Sequence, residues 1–445
     1  MSVRDSCGVE VGSIPSAQAR PRVLLAWEHG RNFGHAARLL EIAAALSLRG
    51  ADVVWAVPAR ELQAPWLVDA VGSKNAAPSG ACGVDANSPS IRSFGDILAA
   101  VGFASEGMLK AAVSQWLTLF DRLAVDRIVL DYAPTAQLAA LIARLPAAQI
   151  TSGFEAPPAD CPVFGIGMRG PMLDRQNASR LQAMDQVVAS VATQLGRAGL
   201  AGLRDVFAYP TRWYDCIAET DPYGPRADGT YIGPVGRFSR AEAAQWPPGP
   251  EQARKVFVYL RSEAQLVTML SAFPAPSCRV LCVWPGASEH AAGKLRRDGL
   301  NLLTRPIDLA AILRESDLVV SYGSVATVCM ALLLGKPQLM WPTEVDKHLV
   351  AARVAAIGAG RMLGSRTSLL QLRAAIADLL DAGDCGRIAR SVAARYDADF
   401  DGLTQLCDAL LNAPAAAKRA MPGMAACSAD DETARDGANT SRKVH

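Results

Sequence analysis

Imidazole titrates near neutral pH without help, so a histidine at a strand-to-helix junction is the first place to look for proton transfer. The chain has five histidines in 445 residues. One of them, His35, ends the stretch Glu28-His29-Gly30-Arg31-Asn32-Phe33-Gly34-His35, which follows the apolar run Val23–Trp27. Gly30 and Gly34 in that loop let backbone approach a ligand closely. His35 reads either as a general base or as a residue that helps cap its helix, and spacing alone does not separate the two. Asp131 is the second candidate. It follows the strand Arg127–Leu130 and precedes a helix from Pro134 to Leu145. By itself it is a helix-capping carboxylate. If both strands lie in one sheet, Asp131 and His35 emerge on the same carboxyl edge. A carboxylate on the imidazole N–H would then fix the tautomer and stabilise the imidazolium formed on proton abstraction.

Two further loops carry groups suited to an anion and to sugar hydroxyls. Asp317 to Thr327 runs from a strand through Tyr322, Gly323 and Ser324 into a helix. Backbone N–H groups around Ser324 to Thr327, with the two hydroxyls, could cradle a diphosphate, or the segment is an ordinary capped turn. One unit later, Trp341 to Lys347 again ends a strand and starts a helix, where Asp346 could accept hydrogen bonds from sugar hydroxyls or simply cap.

These residues need elements to hold them. A helical pattern from His35 to Arg49 carries Leu39, Leu40, Ile42, Ala43 and Leu46 on one face and stops at Gly50; Val53–Val57 is a second strand. Strand, turn, helix and strand make a βαβ unit with parallel strands. The second half restarts the alternation, with strands at Val256–Leu260, Val280–Trp284, Leu318–Ser321 and Gln338–Trp341 and helices at Glu263–Phe273, Ile307–Glu315, Val325–Leu334 and Lys347–Ile357. Pro and Gly accumulate between Ile232 and Pro250. The expectation is an α/β chain of two doubly wound, Rossmann-like domains facing a cleft: a loose extension over 1–20, a first domain over 21–235, a linker over 236–253, a second domain over 254–412 and a disordered tail over 413–445.

Composition excludes several classes. Lys and Arg total 45 against 43 Asp and Glu, which gives no whole-chain reason to expect a nucleic-acid partner. The first 20 residues lack the apolar stretch of a secretory signal, and runs such as Val325–Leu334 fall short of the ~18 residues needed for a transmembrane segment. Ten cysteines with no CxxC pair and no Cys/His cluster read as reduced, buried thiols of a cytoplasmic protein, with no metal site. Aromatic residues are spread through the first half: Trp66, Phe94, Phe103, Trp116, Phe154, Phe164, Phe207, Trp213 and Tyr214. They would suit an apolar acceptor, but most are expected to be core.

Arg22 to Pro58, with Gly34-His35 and the stretch Ile42 to Val53, resembles the opening unit of bacterial and other family 1, UDP-glycosyltransferase-like glycosyltransferases of the two-domain GT-B fold. Asp317 to Leu363, reading DLVVSYGSVATVCMALLLGKPQLMWPTEVDKHLVAARVAAIGAG and on, is similar to that family's donor-binding segment. The resemblance spans residues 21–412. It implies a transferase of hexosyl type that takes a UDP- or dTDP-sugar and a small-molecule acceptor as partners, inverts at the anomeric carbon, and needs no cofactor or obligatory metal. Carried across, His35 is the base and Asp131 its carboxylate partner. Gly323, Ser324, Ala326 and Thr327 meet the donor diphosphate, Asp346 and Lys347 the sugar, and Ile307, after Arg305-Pro306, the nucleobase. The chain departs from the pattern at Leu260-Arg261-Ser262, where many members have a Gly-Ser or Gly-Thr turn, and in four further places. Tyr322 stands where the family has a diphosphate-contacting His, Ser324 and Ala326 replace glycines, and Lys347 replaces a Gln. Lys347 could pair with phosphate or with a carboxylated sugar. Gly34-His35-Ala36-Ala37-Arg38 also resembles nucleotide-sugar hydrolases of the same fold, and the departures leave room for a non-catalytic nucleotide-sugar-binding protein.

Overall fold

The computed structural model describes residues 20–30, 33–78, 93–158, 171–235, 244–273, 277–305, 307–381, 383–396 and 402–414. The extension expected over 1–20 (Arg20 apart), the linker from 236 to 243 and the tail beyond 414 lie outside them. The first sheet contains β1 (Arg22–Trp27), β2 (Asp52–Val57), β3 (Ser73–Ala76), β4 (Arg127–Asp131), β5 (Ala147–Thr151), β6 (Thr211–Tyr214) and β7 (Thr230–Tyr231). Its spatial order is β3-β2-β1-β4-β5-β6-β7. The second contains β8 (Arg254–Tyr259), β9 (Cys278–Val283), β10 (Leu300–Leu303), β11 (Leu318–Ser321), β12 (Gln338–Met340) and β13 (Gly360–Met362), in the order β10-β9-β8-β11-β12-β13. Every strand pairing in both sheets is parallel. In each sheet the order reverses beside the first strand, which creates the crevice where α/β proteins bind ligands.

Parallel strands are covered on both faces, and β1 shows how. Alternate residues of a strand point to opposite sides. Val23, Leu25 and Trp27 pack with Leu39, Ile42 and Leu46 of the first helix, Phe33–Leu48, while Leu24 and Ala26 join Phe94, Leu98, Phe103, Val113 and Trp116 on the other face. That second layer includes helices Phe94–Leu98 and Glu106–Leu123, which the sequence analysis did not resolve. Among the described residues no single helix is long and apolar enough to cross a membrane. Phe94–Phe103 and Glu106–Leu123 pass such a test only as a pair bent by 78°, and their apolar residues are core. The six described cysteines, Cys216, Cys278, Cys282, Cys329, Cys385 and Cys407, are all unbridged.

One element lies away from its expected place. Residues 402–412 belong to the second domain by sequence continuity, yet helix Gly402–Asn412 covers the first sheet. Leu406, Cys407 and Leu410 pack with Val23, Leu25 and Val129. The Arg127 guanidinium donates to the carbonyls of Leu410 (2.8 Å) and Ala413 (2.7 Å), supplying donors at a helix end that lacks them, and Arg49 pairs with Asp408 (2.8 Å). An amphipathic stripe states that a helix is buried, not which sheet it covers, so sequence order misassigned it.

The last described helix crosses back to the first sheet. Leu406→Ala should therefore destabilise the first domain by about 2–5 kcal/mol, the usual cost of truncating a fully buried Leu. A urea unfolding curve followed by the first domain's tryptophans, such as Trp27, Trp55 and Trp116, checks this; a midpoint equal to wild type would show that the helix is not part of that core.

Candidate active site

Register brings the first two candidates together. Trp27, the last residue of β1, is level with Asp131, the last of β4. Residues just beyond both strands therefore share one carboxyl edge, and the first helix begins beneath it. His35 Nδ1 lies 2.8 Å from Asp131 Oδ1. The imidazole is stacked between Trp27 (centroids 5.2 Å apart, 26° between planes) and Tyr132 (6.0 Å, 28°). Tyr132 is a non-glycine residue with positive φ (48°), a strained conformation that turns its ring onto His35. On the far side of the ring, Gly30 has φ of 90°, and a Cβ placed there would lie 2.5 Å from Nε2. Gly30 is thus a glycine because the imidazole fills the space a side chain would take. The same contacts require nothing of Gly34, where an added Cβ meets no atom within 4 Å.

The structure gives a role to Arg38, which the sequence analysis named only within the Gly-His-x-x-Arg pattern, and adds two acids that it did not single out. Arg38 is one helical turn beyond His35, on the same face. Its buried guanidinium forks onto Asp131, with Nε 2.6 Å from Oδ2 and Nη2 on Oδ1. Nη1 donates to Asp215 Oδ2 (2.8 Å), and Nη2 lies 3.5 Å from Glu155 Oε1. Asp215 follows β6 and Glu155 follows β5, so with Asp131 of β4 three strand ends converge on one cation. The sequence carried a signal for Arg38 in its three-residue spacing from His35. It carried none for Asp215 or Glu155, because neither β5 nor β6 was read as a strand.

Electrostatics follow from this sharing. Burial would depress Arg38, but the surrounding carboxylates outweigh it and hold the guanidinium well above its ordinary value. Burial pushes Asp131 up, yet Arg38 and His35 more than offset this and leave the carboxyl below its usual range. Asp215 goes the other way. Burial lifts it, Arg38 only partly compensates, Glu155 and Asp131 add repulsion, and it rises from 3.8 to about 6. Its Oδ1 is buried with no hydrogen-bond partner. Beside the cluster, Glu28 accepts from Thr135 Oγ1 (2.8 Å) and the Ala136 amide (2.6 Å). The N-terminus of helix Pro134–Ala143 is therefore occupied by the chain's own carboxylate.

The second sheet contributes the other half. Gly323 turns with φ of 89°, and a Cβ there would lie 3.1 Å from the Lys347 carbonyl oxygen, so this glycine serves close packing of the two donor-segment loops. Ser324 is the N-cap of helix Val325–Leu333 but makes no side-chain bond to that helix's backbone; its hydroxyl pairs with Thr327 Oγ1 (2.8 Å). Ala326 is half-buried and Thr327 buried at the first turn. The Ser324 side chain therefore leaves the backbone donors of that turn uncapped. Two expected donor contacts turn inward instead. Ile307 packs with Phe257, Leu281, Val283 and Leu313, so its side chain is core and leaves its backbone to meet a nucleobase. Tyr322 packs edge-on against Tyr259 (5.1 Å) in the second core, with the Arg261 guanidinium 5.8 Å from its ring centre. Its bulk and apolar ring favour the core over the position a diphosphate-contacting His would hold. Lys347 turns toward its own loop. It is buried and bonded to Asp346, with Glu344 at 3.5 Å, and these carboxylates overcome the burial that would lower it. Its charge is paired within its own loop.

The two carboxyl edges meet. Val345 and Leu349 pack into the first core, and Tyr214, Cys216 and Ile217 pack with Val325, Val328 and Cys329. Tyr132 is raised by burial, with Glu155 and Asp346 adding to it, which puts Asp346 within electrostatic reach of the ring stacked on His35. Of the spread aromatics, Phe94, Phe103, Trp116, Phe154, Phe207, Trp213 and Tyr214 are buried and Trp66 is half-buried; Phe164 lies outside the described residues.

Known proteins share this architecture. A kitacinnamycin glycosyltransferase superposes with a TM-score of 0.66 at 18% identity, covering 88% of this chain and 98% of its own. The calicheamicin glycosyltransferase CalG4 gives 0.63 at 14%, covering 89% and 100%. The spinosyn rhamnosyltransferase SpnG with thymidine diphosphate gives 0.61 at 17%, covering 88% and 100%. The chain has the GT-B fold. No family model matches it. By sequence it is similar to the UDP-glucosyltransferase avaP of Aspergillus versicolor, 34% identical over 104 residues; the match spans 23% of this chain and about a fifth (22%) of that relative's length.

Asp215 generates a pH prediction. An acid whose folded value lies above its unfolded one binds more protons when folded, so its contribution to stability is complete below about pH 4 and is lost as pH rises toward 6. Asp215→Asn removes that loss. Whatever the variant loses at pH 4 by weakening the bond to Arg38, its stability relative to wild type should shift in its favour by up to about 3 kcal/mol between about pH 4 and 6 and stay there above pH 7. Urea midpoints across that range check it; a difference constant with pH would refute the raised carboxyl.

Proposed function

We propose that the chain is a glycosyltransferase that moves a sugar from a UDP- or dTDP-sugar to a hydroxyl of a small apolar acceptor, inverting the anomeric carbon without a metal ion. The observation that carries this reading is the His35–Asp131 pair at the carboxyl edge facing the second sheet. With Nδ1–H donated to Asp131, the Nε2 lone pair is available to an acceptor hydroxyl. As Nε2 takes that proton, the oxygen attacks the anomeric carbon from the side opposite the leaving group. The bond from that carbon to the diphosphate oxygen breaks, and the diphosphate leaves with the electron pair. The uncapped turn at Ser324–Thr327 would receive the diphosphate, its aligned N–H groups meeting the developing charge. Asp346 Oδ2 is taken by Lys347, so Oδ1 is the oxygen offered to sugar hydroxyls. The first domain would hold the acceptor, against Trp66, Tyr132 and the half-exposed rim of the loop, and the second the nucleotide sugar. SpnG, of the same fold, has been solved with thymidine diphosphate and with spinosyn aglycone, which supports a nucleotide and a small-molecule acceptor as ligands.

His35→Ala should lower kcat about 10²–10⁴-fold, the usual contribution of a general base, and leave donor affinity within twofold. Gly30→Ala should lower kcat about 10²-fold by displacing Nε2, with donor affinity again unchanged. Turnover of UDP- and dTDP-sugars on a panel of hydroxylated apolar acceptors, with NMR of the anomeric proton, measures both. Retained transfer in His35→Ala removes the base assignment. Sugar release at the same rate without acceptor would make the chain a hydrolase, and tight binding without turnover a non-catalytic binder.

A further inference from the structure

His35 Nδ1 has two neighbours of opposite character. Asp131 Oδ1, an acceptor, lies 2.8 Å away; Arg38 Nη2, which can only donate, lies 3.0 Å away. The ring nitrogen satisfies one of them at a time. Carrying the proton, Nδ1 donates to Asp131 and leaves the lone pair on Nε2. Bare, Nδ1 accepts from Arg38, and the proton sits on Nε2, which then cannot take another from a hydroxyl. The outcome of that competition decides whether His35 can act as a base at all.

The surrounding carboxylates bias it. Arg38 Nε and Nη2 fork onto the two oxygens of Asp131, Nη1 is held by Asp215 at 2.8 Å, and Nη2 also faces Glu155 Oε1 at 3.5 Å. Each carboxylate gives a guanidinium N–H a charged acceptor, which it prefers to a neutral ring nitrogen. The fork in turn fixes the plane of Asp131, whose Oδ1 then points at Nδ1. An unprotonated Nδ1 would set two lone pairs against each other at 2.8 Å.

We propose that Arg38 is a positioning residue that sets the His35 tautomer through Asp131, with Glu155 and Asp215 holding its other donors away from Nδ1. The inference deepens the assignment of His35 as the acceptor base and rests on it for its effect on turnover; the tautomer itself does not. Arg38 is buried and its donors are turned to Asp131, Asp215 and Glu155. Lysine cannot replace it, because a compact ammonium cannot span both Asp131 oxygens while also reaching Asp215. Glu155 also lies within electrostatic reach of Lys347 on the helix Val345–Ala356. The outermost holder of Arg38 thus sits where the second sheet's helix docks.

The test uses the full chain labelled with ¹⁵N-histidine at pH 8, with His35 assigned by the signals lost in His35→Gln. Long-range ring ¹H–¹⁵N correlations report which nitrogen carries the proton. In wild type, His35 should show a protonated Nδ1 and a bare Nε2. Arg38→Lys should move the ring toward the Nε2–H tautomer and lower kcat about 10- to 100-fold, less than loss of the base, with donor KM within twofold. A merely structural role would leave the ring shifts in place. A wild-type ring protonated on Nε2, or Arg38→Lys with unchanged shifts and unchanged kcat, overturns the proposal. If Arg38→Lys shows no cooperative melt, Glu155→Gln is read the same way: it keeps the cation, weakens one holder and should shift the tautomer in the same direction, and unchanged shifts there overturn the proposal too. If the shifts move as expected and no variant or wild type transfers sugar, the role of Arg38 stands and the transferase reading falls.

Discussion

A single buried guanidinium organises one edge of this molecule. Arg38 sits on the first helix and reaches the ends of β4, β5 and β6 through Asp131, Glu155 and Asp215. Desolvating that many charges is costly, and removing one partner of a buried pair leaves the other uncompensated at about 3–5 kcal/mol. The cluster is therefore all or nothing. Strands β1, β4, β5 and β6 must be level, and the first helix must begin at the right height, or the charges are stranded. The parallel register Trp27 with Asp131 meets that condition and puts the imidazole beside the carboxylate in the same stroke.

The cluster also differentiates its acids. Asp131 receives both arms of the fork and stays ionised, whereas Asp215 receives one N–H, keeps an orphaned oxygen and is lifted toward neutrality. Two carboxyls on one guanidinium are thereby shifted in opposite directions, and the more strongly held one faces the histidine. Aromatic rings complete the arrangement. Trp27 and Tyr132 clamp the imidazole from both sides, and the left-handed backbone of Tyr132 is a local strain tolerated where the ring is needed.

The donor-side segment departs from the glycine-rich pattern without losing its helix terminus. Tyr322 withdraws into the second core, and the Ser324 hydroxyl turns to Thr327 and away from the backbone. The first-turn amides of helix Val325–Leu333 are left uncapped by side chains. Lys347, where a glutamine is usual in the resembling family, is neutralised by its own loop, so the local charge near Asp346 changes less than the substitution implies. Contacts from Val345 and Leu349 seat this segment on the first core.

Much of this was legible from residue order. Continuous apolar runs at 23–27, 128–130 and 318–320 announce doubly covered strands, and the Gly and Pro stops bound their helices, because burial and turn chemistry act over a few neighbouring residues. Strand-then-loop placement put His35 and Asp131 at one edge of one sheet. The sequence did not determine which acids share Arg38, since Glu155 and Asp215 are 117 and 177 residues away and meet it only through sheet order. Nor did it determine that Ile307, Tyr322 and Lys347 face inward, or that helix Gly402–Asn412 returns to the first sheet. Those outcomes depend on which surfaces remain uncovered once both sheets exist, a competition among distant partners that local pattern does not encode.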